Sequence, residues 1–198
     1  IPAHYDWVVD TKLSTTVGEA GNPENRIATV EHLMAALRGC DIDNALILVD
    51  GPEIPAFDCS AQDFVFLIDC AGQQAQTATR RIVDVIRPIR VEQGESFMEL
   101  LPNPASGLGA ALDLSLSIDF PAQAIGRQTL SLELSRASFR NELSRSRTFT
   151  LKTEIDALHS MGLALGGSLD NAIVVDGDSI LNPAGLRCAD EFIRHKMM

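Results

Sequence analysis

Two short stretches of this chain place a histidine beside a group able to handle a proton. The first is Thr29-Val30-Glu31-His32, which opens an amphipathic helical stretch, Val30–Leu37. With Thr29 as the cap, Glu31 and His32 fall in the first turn, beside loops. A histidine there can bind a metal while the neighbouring carboxylate takes a proton from water. The same pair also reads more plainly, with Glu31 complementing the helix dipole and His32 on the surface. The second stretch is His195-Lys196, in a helix predicted over Asp190–Met198. The sequence holds four histidines, His4, His32, His159 and His195. His159 falls near the end of its own predicted helix, where it can interact with the dipole. Ser146-Arg147-Thr148-Phe149-Thr150 offers a hydroxyl and an apolar wall, or an ordinary helix-entry loop. Gly166-Gly167-Ser168 is a flexible turn before an apolar strand.

An internal duplication explains how such residues could meet. Residues 42–51 read IDNALILVDG and residues 169–177 read LDNAIVVDG. Each is a D-N-A turn, an apolar strand and a D-G turn. A helical stretch precedes each, Val30–Leu37 in one case and Lys152–Met161 in the other. A second helix follows each: Ser60–Ala71, with Phe64, Leu67, Ile68 and Ala71 on one face, and the segment after Cys188. The repeated order predicts two similar halves, residues 1–75 and 80–198, joined by the low-complexity stretch Gln73–Thr79. His32 and His195 then lie on helices of opposite halves.

The second half opens with strands. Ile82–Val91 reads as an edge or bulged strand because of its proline, and Ser96–Leu101 follows. Leu112, Leu114, Leu116, Ile118 and Phe120 alternate with polar residues, as do Leu130, Leu132 and Leu134. Both read as half-buried antiparallel strands. The expected fold is α+β: two halves, each a mostly antiparallel sheet with two helices, the helical layers packed between the sheets. Val30, Leu33, Leu37, Phe64, Leu67 and Phe192 are the expected core. Matching the first half to the second predicts about 40 further residues of strand before Ile1. The absence of a stop signal after Met198 predicts that the last helix continues.

Composition bounds the function. The 198 residues are 45% hydrophobic, enough for a sizeable core. A formal net charge of -11 argues against a nucleic-acid binder, which needs a basic face for phosphates. No apolar run is long enough for a membrane span. Four widely spaced cysteines could form two disulfides, but their spacing fits buried, reduced thiols in a cytoplasmic protein better.

Taken in order, the motifs resemble one family, the zinc-dependent UDP-3-O-acyl-N-acetylglucosamine deacetylases (LpxC). They are V-V-D-T at 8–11, T-V-E-H-L at 29–33, G-C-D-I-D-N at 39–44, P-E-I-P at 52–55 and D-C-S-A at 58–61. Then come S-R-T-F at 146–149, G-L-A-L-G-G-S-L-D-N-A-I-V-V-D at 162–176, L-N-P-A-G-L-R at 181–187 and D-E-F-I-R-H-K-M at 190–197. The resemblance implies a zinc ion (Zn2+) held by His32 and His195, with Glu31 as general base. It implies Thr148 as oxyanion donor and Lys196 as an aid near the water or substrate. Leu13, Phe149, Gly167 and Ser168 would line the substrate, and 162–176 would border its acyl chain. It further implies hydrolysis of the N-acetyl group in lipid A synthesis, by a cytoplasmic, monomeric enzyme of a Gram-negative bacterium. The sequence departs from the family pattern at Cys59, where glycine is usual, and at Leu151, where phenylalanine is common. The family's third ligand, an Asp four residues after His195, and its downstream acid His lie outside the sequence. Residues 1–198 alone are therefore expected to be inactive. The competing class is a non-catalytic nucleotide-sugar binding module, or an inactive relative with the same fold.

Overall fold

A computed structural model describes residues 1–103, 112–155 and 167–198. The fold is α+β, with mostly antiparallel sheets and a few short helices. Strands β1 (Val8–Asp10), β2 (Thr16–Gly18) and β3 (Arg26–Ile27) form an antiparallel meander. It leads into helix α1 (Glu31–Gly39), and α2 (Gln62–Ala71) packs beside it. Two hairpins follow, β4 (Ile89–Gln93) with β5 (Ser96–Leu100) and β6 (Leu112–Asp119) with β7 (Arg127–Leu134). A short α3 (Arg136–Ser138) runs into a π-helical turn at Phe139–Leu143. Strands β8 (Phe149–Leu151), β9 (Ile173–Asp176) and β10 (Ser179–Ile180) form the last sheet, and helix α4 spans Glu191–Met197.

The expected alternation in the 112–134 region holds from Leu114 onward, while Leu112 at the start of β6 is 41% exposed. Leu114, Leu116, Ile118, Leu130, Leu132 and Leu134 are half-buried while their sequence neighbours on these strands point outward. The ladder pairs Leu114 with Leu132 and Leu116 with Leu130, so one face is apolar. α4 lies against this hairpin and against the π-helical turn.

Two buried clusters form the core. Val30, Leu33, Ala36, Phe64, Val65, Phe139 and Leu143 make the first, with Leu37, Leu132, Leu134, Met197 and Met198 packed on it. Ile125, Ile173, Val175 and Phe192 make the second, flanked by Phe120, Phe149 and Leu186. Phe192 thus belongs to a different cluster from the other expected core residues. Leu67 is a correction: it is 50% exposed, and Val65 turns inward instead. On α2 the buried pair is Phe64 and Val65, so the apolar stripe points about one residue away from the face read from the sequence. Gly39 closes α1 against the Phe139 ring. A Cβ there would sit 2.1 Å from a ring carbon. Gly39→Ala is therefore expected to cost about 1–3 kcal/mol through overpacking, read as a lowered urea midpoint with unchanged slope.

Four local expectations change. Thr29 does not cap α1: the N-cap is Val30, and the Thr29 hydroxyl donates instead to Glu53. Its left-handed backbone, φ 58°, turns the side chain away from the helix. The strand expected at 42–51 is not formed, and Leu46 and Leu48 are each 88% exposed. Among the described residues no strand pairs with this segment, and an apolar run without a ladder is not a strand. Its counterpart β9 is paired on both sides and wholly buried at Ile173, Val174 and Val175. Only the end of the Ile82–Val91 strand forms, from Ile89 onward; residues 82–86 are unpaired, with Val83 and Ile86 92% and 84% exposed. Finally, Thr148-Phe149-Thr150 is more than a loop. Phe149–Leu151 pairs in parallel with Ile173–Val175, the one parallel pairing among the described strands.

Residues 152–155 begin a helix. The rest of the helix expected over Lys152–Met161, with His159, and residues 162–166 of the G-L-A-L-G-G stretch lie outside the described residues.

Candidate active site

Each site residue owes its position to a specific local device. Glu31 sits in the first turn of α1, and its Oε2 accepts the Thr15 N–H at 3.0 Å. That bond ties the segment after β1 to the helix mouth. Ala28, just before, bridges in parallel to Glu53, so the P-E-I-P loop braces the approach to α1. His32 follows and is buried, 4% exposed. Its Nε2 lies 3.1 Å from the Thr148 hydroxyl. His195, in the last turn of α4, lies with its ring centroid 5.6 Å from that of His32. The two histidines separated by most of the sequence therefore face each other.

The D-C-S turn positions Thr148 from behind. The Thr148 N–H donates to the Cys59 carbonyl at 2.8 Å, and its Oγ1 lies 3.3 Å from the same oxygen. Asp58 holds the turn: its carboxylate accepts from the Ser60 N–H at 3.0 Å and the Ser60 hydroxyl at 2.7 Å. Arg187 pairs with it at 2.8 Å. Burial raises the Asp58 pKa, but these hydrogen bonds and the Arg187 charge outweigh it and leave the carboxyl below its ordinary range.

The departure at Cys59 now has a physical meaning. Cys59 has φ 57°, a conformation that costs an L-residue about 1–2 kcal/mol and glycine almost nothing. Cys59→Gly is expected to raise stability by about 1 kcal/mol, a melting-temperature gain of roughly 2–4 °C by calorimetry. Leu13, Thr29 and Phe57 also have left-handed backbones, at φ 70°, 58° and 51°. Strain of this kind gathers at functional sites, where surrounding contacts hold it. The Cys59 thiol is pushed up to about 11 by burial and by Asp58, Glu31 and Glu53, so it stays protonated at neutral pH. All four cysteines are free thiols.

Both imidazoles are neutral at pH 7. Burial lowers the His32 pKa, only partly offset by Glu31 and Asp58. His195 falls to about 4, first through burial and then through the charges of His32 and Lys196. The His195 Nδ1 lies 3.2 Å from the Ser146 carbonyl, which can only accept. A neutral ring must therefore carry its proton on Nδ1, leaving the Nε2 lone pair for another partner. Two neutral imidazoles at this separation fit two corners of a tetrahedral zinc site. Among the described residues, no group of three or more His, Cys, Asp or Glu side chains completes such a site.

The other predicted residues fall at differing distances from this pair. Phe149 makes edge contacts with Phe192, Phe120 and His195, at centroid separations of 5.0, 5.5 and 6.2 Å. It is a wall of the site and part of the second core cluster at once. The Lys196 ammonium lies 5.3 Å from the Phe149 ring centroid. Leu13 is 63% exposed, two residues before the Thr15 N–H that grips Glu31. Ser168 is exposed in the turn before β9, where its N–H donates to Asn171 Oδ1 at 2.8 Å and its hydroxyl accepts from the Asp170 N–H. Gly167 is exposed beside it. No described contact links Gly167 or Ser168 to the histidines.

Sequence reasoning missed one part of the site. Arg147 and Glu191 form a bidentate ion pair at 2.9 and 3.1 Å, with side chains 7% and 0% exposed. The Glu191 carboxylate also accepts the Arg147 and Arg187 backbone N–H groups, at 3.1 and 2.6 Å. The signals available were an acidic residue in the first turn of a helix, D-E-F-I, and an arginine in S-R-T-F, neither of which marks the other as its partner.

The chain was compared with known proteins. The model of the family LpxC, UDP-3-O-acyl N-acetylglycosamine deacetylase, matches residues 1–198. A UDP-3-O-acyl-N-acetylglucosamine deacetylase from Acidithiobacillus ferrooxidans is 46% identical over 96% of this chain and 60% of its own length. Proteins of the same name from Idiomarina loihiensis and Phenylobacterium zucineum are each 46% identical. They cover 100% and 96% of this chain, and 63% and 62% of themselves. The chain thus spans about six tenths of the length of the curated relatives it matches. With its motifs in family order and the two imidazoles brought face to face, the chain belongs to the LpxC family of UDP-3-O-acyl N-acetylglycosamine deacetylases.

Proposed function

We propose that this chain carries the catalytic centre of a zinc-dependent deacetylase. The reaction hydrolyses the N-acetyl group of UDP-3-O-acyl-N-acetylglucosamine in lipid A synthesis, giving a free amine and acetate. One observation carries the reading. His32 and His195, from elements far apart in sequence, lie 5.6 Å apart, with the Thr148 hydroxyl 3.1 Å from His32 Nε2. His32 and His195 would hold the zinc ion, which when bound supplies Lewis acidity that acidifies water and polarises the amide carbonyl. Glu31 is anchored through Oε2 to the Thr15 N–H. Its Oε1 is the atom to receive the proton of the attacking water. The Thr148 hydroxyl carries one proton, within reach of His32 Nε2 at 3.1 Å and Cys59 O at 3.3 Å. It can turn that proton toward the developing oxyanion, a donor typically worth about 100- to 1000-fold in rate. The Lys196 ammonium, beside the Phe149 wall, offers a positive charge to substrate oxygens.

Leu13, Phe149, Gly167 and Ser168 would border the substrate, and residues 162–176 its acyl chain. The enzyme is read as a cytoplasmic monomer, and no described helix is long and apolar enough to cross a membrane. Residues 1–198 alone are expected to bind zinc weakly and turn over no substrate, since zinc sites normally take three protein ligands and water. The test is elemental analysis and a deacetylation assay on the full chain and its His32→Ala variant. The wild type should hold about one zinc per chain, and the folded variant should lose both zinc and turnover. Stoichiometric zinc in His32→Ala would sink the ligand assignment. A zinc-bearing wild type that binds a UDP-sugar without deacetylating it would make the protein a binding module.

A further inference from the structure

We propose that the buried Arg147–Glu191 ion pair is the positioning device of the site. It sets the rotation of α4, and with it the orientation and tautomer of His195; its bearing on zinc rests on the reading given above. Glu191 and His195 are four residues apart on α4 and so share one face. That face is fastened to a single short segment at two points. Glu191 grips Arg147 through Nε at 2.9 Å, Nη2 at 3.1 Å and the backbone N–H at 3.1 Å. One turn later, His195 Nδ1 meets the Ser146 carbonyl at 3.2 Å. Two attachments one turn apart fix both the axial position and the rotation of a helix. The same segment continues into Thr148, whose Oγ1 lies 3.1 Å from His32 Nε2. Setting Arg147 therefore sets both residues that face His32.

The pair is braced from outside. Arg147 Nη2 also donates to the Gly185 carbonyl at 2.9 Å, and the Arg187 N–H donates to Glu191 at 2.6 Å. The Arg187 side chain reaches Asp58 at 2.8 Å, in the turn whose Cys59 carbonyl holds Thr148. A buried ion pair adds little net stability over an apolar pair of similar volume, so its directional bonds are the property that distinguishes it. A lysine at 147 would keep the charge but lose the planar fork that engages both carboxylate oxygens.

The experiment is Arg147→Lys in the full chain with 15N-labelled histidine. His195 should show a single Nδ1-protonated tautomer in the metal-free wild type. In Arg147→Lys that tautomer should give way to a mixture. Zinc affinity per folded molecule should fall about 10- to 100-fold, the range typical for groups that orient metal ligands. Asp190→Asn serves as the control. It removes the charge of Arg194's 2.6 Å partner on the same helix without touching segment 146–148, and should leave the His195 signal unchanged. Should Arg147→Lys not fold, Glu191→Gln keeps the shape and removes the charge, and the same shift is expected. The inference is overturned if the folded variants keep the wild-type His195 signal and zinc affinity and lose only melting temperature. A wild type that binds no zinc would instead sink the functional reading, and the imidazole signal would still judge the positioning role.

Discussion

Glu31→Gln is expected to keep zinc and lose about 100- to 10,000-fold in turnover, the range for removing a general base. The geometry makes this a clean substitution. Glu31 is fixed by the Thr15 N–H on Oε2, so glutamine can keep that bond through its own amide oxygen. What changes is the other atom, from a carboxylate oxygen that accepts a proton to an amide nitrogen that does not. The loss should fall on kcat, with KM little changed, because the proton moves only on the way to the transition state. Elemental analysis and initial rates decide it. A variant with full zinc and near-normal turnover removes Glu31 from the mechanism.

How much of this was legible in the sequence depended on whether the signal was local. Helix α1 was, because Val30, Leu33 and Leu37 recur at helical spacing and Glu31-His32 sit at its mouth. The β6–β7 hairpin was, because strict alternation writes its buried face directly. The two D-N-A segments show where locality fails. Both carry the same pattern, yet only 173–176 lies between partners, and only it is a strand. Strand formation is a property of neighbours, and the neighbours are distant in sequence. Family order located the two histidines and Thr148, but no spacing rule gave the 3.1 Å approach of Thr148 to His32. The left-handed turn at Cys59 was marked by its departure from the family's glycine, and φ 57° explains why glycine is usual there. Arg147 and Glu191 were hidden because each reads alone as unremarkable. An arginine in a loop and an acid in the first turn of a helix are common, and only the fold shows that they are buried together.

The largest stability effect expected in this chain follows from that pair. Glu191→Ala should cost about 3–5 kcal/mol, because it leaves the Arg147 guanidinium buried without its counter-charge. Arg147 is only 7% exposed, and its remaining acceptor is the Gly185 carbonyl. Two backbone donors, the N–H groups of Arg147 and Arg187, lose their acceptor as well. The wild-type pair should also leave a signature in pH. Burial pushes the Glu191 carboxyl up, but the bonds from Arg147 and Arg187 outweigh it and hold the carboxyl below its ordinary value of 4.5. The unfolded chain then binds the proton more readily than the folded one, so stability rises with pH through this range. The contribution is fully present above pH 4.5, and it drains away as pH falls below 4.5 through the folded value. Urea melts of wild type and Glu191→Gln between neutral pH and about pH 3 isolate it, since glutamine does not titrate. The difference in stability between the two proteins should be greatest at neutral pH and shrink on acidification. A difference that stays constant across that range would mean that Glu191 is not ionised in the native protein, and the ion pair would have to be redrawn as a neutral hydrogen bond.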